Sequence, residues 1–312
     1  MTIRPIDRRA HPQGASFSEW RSPDGWLHRR LDWRQREGTE ARGTLLFCAG
    51  RGDFIEKYLE AIGHWHGRGW NVAAFDWRGQ GGSRGDVLGG HLDSLDPLVD
   101  DLAAFLAELR DGSPGPQVAV GHSMGGHVLL RALAEERARL DAAVLVAPML
   151  TINSAPMPVW AAWWTASAMA MLGWRQLPAW RSSVVPSQTG SRRQNVLTAC
   201  PDRYADELWW WERKPDFNLG APSWGWIEAA YRSCAELSDA KLRETQVPLL
   251  LLGTETDRLV SAAAIRRAAD LLPRARLSMF ERAGHEILRE ADPVRHEALA
   301  AIDRFLDESA PR

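Results

Sequence analysis

Lysine is nearly absent from this chain of 312 residues: it occurs only at positions 57, 214 and 241, and positive charge comes almost wholly from arginine. That bias reads as genome composition and carries no function. With 38 basic and 40 acidic residues the formal net charge is −2, so there is no basic footprint for nucleic acid. Cysteine is scarce too. Cys48, Cys200 and Cys234 are odd in number and match no metal or redox spacing, which points to idle thiols in a reducing compartment. No apolar run reaches the roughly 18 residues that a membrane helix needs. The opening Met1-Thr2-Ile3-Arg4-Pro5 lacks the apolar centre of a secretion signal. These absences together predict a cytoplasmic protein. Tryptophan is what the chain has in excess, with 16 residues; six precede residue 80 and ten fall between 149 and 234.

The length suits one large α/β domain with room for an insertion. Residues 1–15 are polar and predict a loosely held arm. A hairpin follows over 17–34, turning at Ser22-Pro23-Asp24-Gly25. From there short, near-continuous apolar runs (44–48, 71–76, 117–121, 142–147, 247–253, 275–280) alternate with helix-spaced stretches (54–66, 96–110, 128–133, 262–272, 293–306). This is the pattern of a mostly parallel sheet covered on both faces by helices. The rhythm breaks after Pro148. Residues 149–235 are rich in Trp, Pro and Ser, with helical stretches at 158–172, 202–213 and 223–237. They read as a helical insertion above the sheet of a core made of 1–148 and 236–312.

Gly121-His122-Ser123-Met124-Gly125 joins the run 117–121 to the helix that follows. Gly-x-Ser-x-Gly in a strand–turn–helix context is a nucleophile elbow, although about one chain in ten of this length matches the bare pattern by chance. A serine hydroxyl needs a base within hydrogen-bond reach and a group to orient that base. In a parallel sheet the partners belong in loops after later strands. Asp257 follows the run 247–253 and His285 follows 275–280. The order Ser123, Asp257, His285 is the one expected of such a site, with Glu255 as a weaker competitor for the acid. Asp76, which also ends a strand, is read as an anchor for the loop 77–85. The developing oxyanion needs preset donors; the backbone N–H groups of Met124 and Arg51 are the candidates. As base, His285 predicts an acid limb of activity near or somewhat below neutral pH.

These residues resemble one branch of a known superfamily. Gly121-His122-Ser123-Met124-Gly125-Gly126, preceded by Asp76-Trp77-Arg78-Gly79-Gln80-Gly81-Gly82-Ser83 and followed by Asp257-Arg258 and Ala283-Gly284-His285-Glu286, is similar to the monoacylglycerol lipases and bacterial lysophospholipases among the α/β-hydrolases. The resemblance implies the α/β-hydrolase fold, no metal and no organic cofactor, and a small lipid ester as partner. The implied reaction is hydrolysis of the acyl ester of a monoacylglycerol or lysophospholipid through an acyl-enzyme. A short-chain carboxylesterase or an acyltransferase is the alternative, and a non-catalytic binding protein a third reading. One departure stands out: the family usually has His-Gly where this chain has Ala49-Gly50, so the oxyanion loop lacks a polar side chain. The resemblance also makes the insertion a cap over the nucleophile. Gly50, His122, Trp160, Trp163 and Trp164 are then candidate substrate contacts. Some cap tryptophans are candidates for contact with the inner face of a membrane.

Overall fold

The computed structural model describes residues 6–86, 88–112, 115–180 and 188–311. Eight strands form one sheet: β1 (Ser16–Arg21), β2 (Leu27–Trp33), β3 (Gly43–Cys48), β4 (Trp70–Phe75), β5 (Gln117–His122), β6 (Ala142–Val146), β7 (Leu249–Thr254) and β8 (Ala275–Phe280). Their spatial order is β1-β2-β4-β3-β5-β6-β7-β8. β1–β2 and β2–β4 pair antiparallel, and every later pair is parallel. β3, β5, β6 and β7 are buried along their whole length. That is why they read as unbroken apolar runs and not as alternating ones.

Helices fill the connections. α1 (Leu59–Gly67) packs on β4, and α2 (Asp96–Asp111) packs on α3 (Met124–Ala134), which lies over β5 and β6. The expected helix over 54–66 begins with a 3-10 turn, Ile55–Tyr58. Between β6 and β7 come α4 (Val159–Met169), a π turn (Ala170–Trp174), α5 (Arg192–Leu197), α6 (Pro201–Arg213), α7 (Trp224–Glu236) and α8 (Asp239–Glu244). α9 (Ala262–Leu271) precedes β8, and α10 (Asp292–Ser309) closes the chain against β6 and β7.

The helices between β6 and β7 are held in different ways. Trp226, Ala229 and Ala230 of α7 belong to the main core, and α4 packs on α7. On α6, Trp210 and Trp211 join Phe54 and Phe217 in a second, smaller core. Three successive residues on a helix cannot all share a face, and Trp209 is accordingly left partly exposed, with the Arg213 guanidinium 3.7 Å from its ring centre.

The amino-terminal arm differs from the expectation of a loose segment. Residues 1–5 lie outside the described residues, but 6–15 are docked. Arg8 and Arg9 both pair with Asp206 of α6, Arg9 at 2.7 Å. His11 lies 2.9 Å from Glu56 and stacks on Phe17 and Trp210, and Trp210 Nε1 donates to Arg8 O at 2.9 Å. Ion pairs and an aromatic stack thus join one apolar anchor, Ile6, which packs on the main core against Gly63. Asp206→Ala should speed limited proteolysis within residues 6–15 while costing at most about 1 kcal/mol of global stability, because the two arginines are part-exposed and screened; denaturant melts and a timed digest check both.

Candidate active site

Ser123 occupies φ 53°, ψ −117°, a conformation that costs a side-chain-bearing residue about 1–3 kcal/mol. Its surroundings hold it there. Ser123 N donates to Val146 O at 2.9 Å, and Ser123 O accepts from His127 N and Met149 N, each at 3.0 Å. The flanking glycines are required by close approach. A Cβ on Gly121 would lie 2.8 Å from Gly125 O and Gly126 N, and one on Gly125 would lie 2.4 Å from both Cys48 O and Ala49 O.

Both downstream partners reach this turn. His285 Nε2 is 2.9 Å from Ser123 Oγ, and His285 Nδ1 is 2.8 Å from Asp257 Oδ2. With Nδ1–H donating to Asp257, Nε2 is left to accept the serine proton. The other Asp257 oxygen accepts from Leu259 N at 2.8 Å and Val260 N at 3.0 Å. Burial opposes its charge, but His285 and these amides outweigh burial and hold the carboxyl below its usual range. For His285, burial pushes down, while Asp257, Glu286 and Asp53 push up and prevail, so the imidazole is raised above 6.5. The competitor Glu255 points elsewhere and pairs with Arg266 on the surface.

The loop after β3 is held by side chains that the sequence reading passed over. Asp53 Oδ2 accepts from Gly50 N at 2.9 Å, Gln80 Oε1 from Gly52 N at 2.6 Å, and Ala49 O from Trp77 Nε1 at 2.7 Å. Asp53 and Gln80 therefore serve where the expected histidine is missing. Among the described residues, no hydrogen bond occupies Arg51 N or Met124 N, which leaves both amides free for an incoming oxygen. Gly50 sits against the serine: a Cβ there would be 3.1 Å from Ser123 Cβ and 3.0 Å from His122 Nδ1. Asp76 anchors its own loop, accepting from Gly82 N at 2.8 Å and Ile55 N at 2.9 Å.

His122 is a correction to the list of substrate contacts. Its ring is buried, with Nδ1 2.9 Å from the Tyr58 hydroxyl and Nε2 3.3 Å from His285 O. It supports the histidine loop from below and offers no ring nitrogen to a ligand. α5 is the other support that was missed. Val196 O and Leu197 O accept from His285 N (3.1 Å) and Glu286 N (2.8 Å), and a Cβ on Gly284 would come within 2.5 Å of Leu197 O. Beneath lies a buried ion cluster, in which Lys57 Nζ is 2.5 Å from Asp53, 2.5 Å from Glu286 and 3.3 Å from Glu207 of α6. Trp160 and Trp164 are 68% and 58% exposed, and Trp163 is half-buried beside Trp164.

A strained serine turn after β5 of a mostly parallel sheet, with an acid after β7 and a histidine after β8, defines an α/β-hydrolase. Comparison with known proteins agrees. A family model described as serine aminopeptidase, S33, matches residues 39–292, and the chain belongs to that family as an esterase-type hydrolase. It is 30% identical to lysophospholipase L2 of Escherichia coli K12 over 88% of each chain. It is 27% identical to a probable lysophospholipase L2 of Haemophilus influenzae over 85% of this chain and 84% of that one. Among solved structures, a soluble variant of the monoglyceride lipase of Saccharomyces cerevisiae, in complex with a substrate analog, superposes with a TM-score of 0.75. It covers 98% of this chain and all of that one at 16% identity, a likeness of fold alone.

The raised imidazole moves the pH expectation upward. A base must be neutral to accept the serine proton, so activity falls as pH drops through the His285 pKa. The acid limb of kcat/KM on a soluble ester should have its midpoint above 6.5. Asp257→Asn should move it down and cut kcat by about 10³–10⁴. A wild-type midpoint at or below 6.5 would contradict the charge balance described.

Proposed function

We propose that the chain cleaves the acyl ester of a lysophospholipid or monoacylglycerol through an acyl-enzyme on Ser123. The observation that carries this is the hydrogen-bonded sequence Ser123–His285–Asp257 beside two unoccupied amides. His285 takes the Ser123 proton as Oγ attacks the ester carbonyl, and the amides of Met124 and Arg51 receive the oxyanion. His285 then protonates the leaving glycerol oxygen, and water releases the fatty acid by the same route. Asp257 holds the tautomer and stabilises the imidazolium. The names of the bacterial relatives and of the yeast structural neighbour support the choice of substrate class.

Residues 149–235 act in this reading as a cap, with 1–148 and 236–312 as the hydrolase core. The cap's outer face is apolar: Trp160, Trp164, Met171 (85% exposed) and Leu172 (68%) lie close together in sequence on α4 and the π turn. Exposed apolar surface of this kind marks contact with lipid or another apolar phase. In this reading the contact is peripheral, and no helix among the described residues is long and apolar enough to cross a membrane. We place the protein in the cytoplasm, at the inner membrane face.

A fluorophosphonate probe should label the wild type at Ser123 and leave Ser123→Ala unlabelled. Purified enzyme should prefer lysophosphatidylethanolamine or a long-chain monoacylglycerol to acetate and butyrate esters and to aminoacyl nitroanilides. Preference for the short esters would favour the carboxylesterase reading, and release of nitroaniline a peptidase. For the cap, the double variant Trp160→Ala/Trp164→Ala should co-sediment several-fold less with anionic liposomes while keeping its rate on soluble butyrate. Unchanged sedimentation would remove α4 as the lipid-facing element.

A further inference from the structure

Arg51 stands apart from the other arginines packed into the molecule. Arg29, Arg78, Arg131, Arg193, Arg203 and Arg289 each lie against at least one carboxylate. Among the described residues Arg51 has none. Its Nη2 donates to Gly89 O at 2.7 Å and its Nη1 to Gly220 O at 3.3 Å. The guanidinium carbon is 4.9 Å from the centre of the Trp226 ring, and Nε is buried with no partner. Carbonyl dipoles and an aromatic face stabilise a cation without neutralising it. The consequence is visible in the charge balance. Burial pushes Arg51 down to about 9, whereas Arg29 and Arg131, opposed by the same burial, are raised by their carboxylates. Lys57, the nearby buried cation, already faces three carboxylates. Arg51 therefore carries a positive charge with no carboxylate against it among the described residues, on the loop whose Gly50 packs on Ser123 and on a side chain still partly open to solvent.

Its place in the chain ties that charge to the reacting ester. Gly50 packs on Ser123, and Arg51 N is free. Within Arg51, about six bonds separate the backbone nitrogen from the guanidinium carbon; in a lysophospholipid, about six bonds separate the ester carbonyl carbon from the phosphorus. An ester oxygen held at Arg51 N–H brings the phosphate of the same molecule within the sweep of the same residue's side chain. A planar guanidinium is suited to two phosphate oxygens at once.

We propose that the Arg51 side chain is an anion subsite for the substrate phosphate, and so sets the preference for lysophospholipids over neutral monoacylglycerols. The proposal rests on the reading of the substrate as an acylated glycerol cleaved at Ser123. To test it, wild type, Arg51→Lys and Arg51→Met are assayed in neutral mixed micelles on lysophosphatidylglycerol and a monoacylglycerol of the same acyl chain. The readout is the ratio of the two kcat/KM values, in which any loss at the oxyanion position common to both substrates cancels. The ratio should fall about tenfold or more in Arg51→Met, through KM, and be largely restored in Arg51→Lys. A second measurement needs no variant. Glycerol 3-phosphate should inhibit wild-type hydrolysis of 4-nitrophenyl butyrate competitively, about tenfold better than glycerol and better than inorganic phosphate. An unchanged ratio in Arg51→Met, or glycerol 3-phosphate no better than glycerol, would overturn the subsite and leave ester hydrolysis at Ser123 standing. Inorganic phosphate equal to glycerol 3-phosphate would make this a free-phosphate site and overturn the headgroup role. Cleavage of the butyrate ester with neither glycerol lipid accepted would overturn the substrate reading, and the subsite with it.

Discussion

Ser123 must stand at φ 53° with its hydroxyl clear of the sheet, and a residue with a side chain stays in that conformation only when its neighbours leave it nowhere else to go. The neighbours do so with backbone. Val146 O, His127 N and Met149 N grip the peptide groups on either side, so β6 and the first turn of α3 are both committed to the serine. The glycines follow from this. Gly125 lies so close to the carbonyls of Cys48 and Ala49 that the end of β3 is pressed against the start of α3. The oxyanion loop is thereby brought alongside the nucleophile, and Gly50 is the residue that lets the two touch. Strain at one residue thus dictates the contacts of three strands.

The second constraint is electrostatic. Asp53 shapes the oxyanion loop, Glu286 adjoins the base and Glu207 belongs to α6, and Lys57 faces all three from within the core. Arg289 lies against Glu286 and Glu207, and Arg193 against Glu207. Burying a charge costs several kcal/mol, so such a cluster adds little net stability; breaking it, at about 3–5 kcal/mol for a lost partner, is what is expensive. It works as a lock on geometry. The oxyanion loop, the histidine loop and α6 cannot shift separately without exposing one carboxylate to another in a low-dielectric interior.

The parts of the fold that could be read from sequence are those whose cause is local. β3 and β5–β7 are buried on both faces and show as apolar runs. Ser123, Asp257 and His285 are legible because each follows a recognisable strand, and topology then carries all three to one sheet edge. What escaped is assembled from distant stretches. The three partners of Lys57 come from three separate segments, and no spacing rule joins them. α5 has only six residues, too short for a periodic signal, yet its carbonyls hold the histidine loop. His122 drew attention as a flank of the nucleophile, but its alternation on β5 turns the ring toward Tyr58 and the interior. The arm looked free because most of its anchors are charges and a stacked imidazole, which composition scores as solvent-seeking, with Ile6 the one apolar contact.

These constraints divide the insertion between β6 and β7 into two functional halves. α5 and α6 are bound to the loops that carry His285 and Asp53 by carbonyls and by the ion cluster, and α6 is bound in turn to the docked arm. They belong to the machinery as much as any strand does. α4 is joined chiefly to α7 and turns large apolar side chains outward. The energetic asymmetry is large, because displacing α6 uncovers buried charge while displacing α4 uncovers surface that is already partly wet. In the proposed reading of the insertion as a cap, an opening that admits substrate should therefore proceed at α4, with α5, α6 and the Ser123–His285–Asp257 hydrogen bonds undisturbed. On the proposed lipid-ester reading, the demand for an apolar contact and the demand for a fixed proton-transfer geometry fall on different helices, α4 for the first and α5 and α6 for the second.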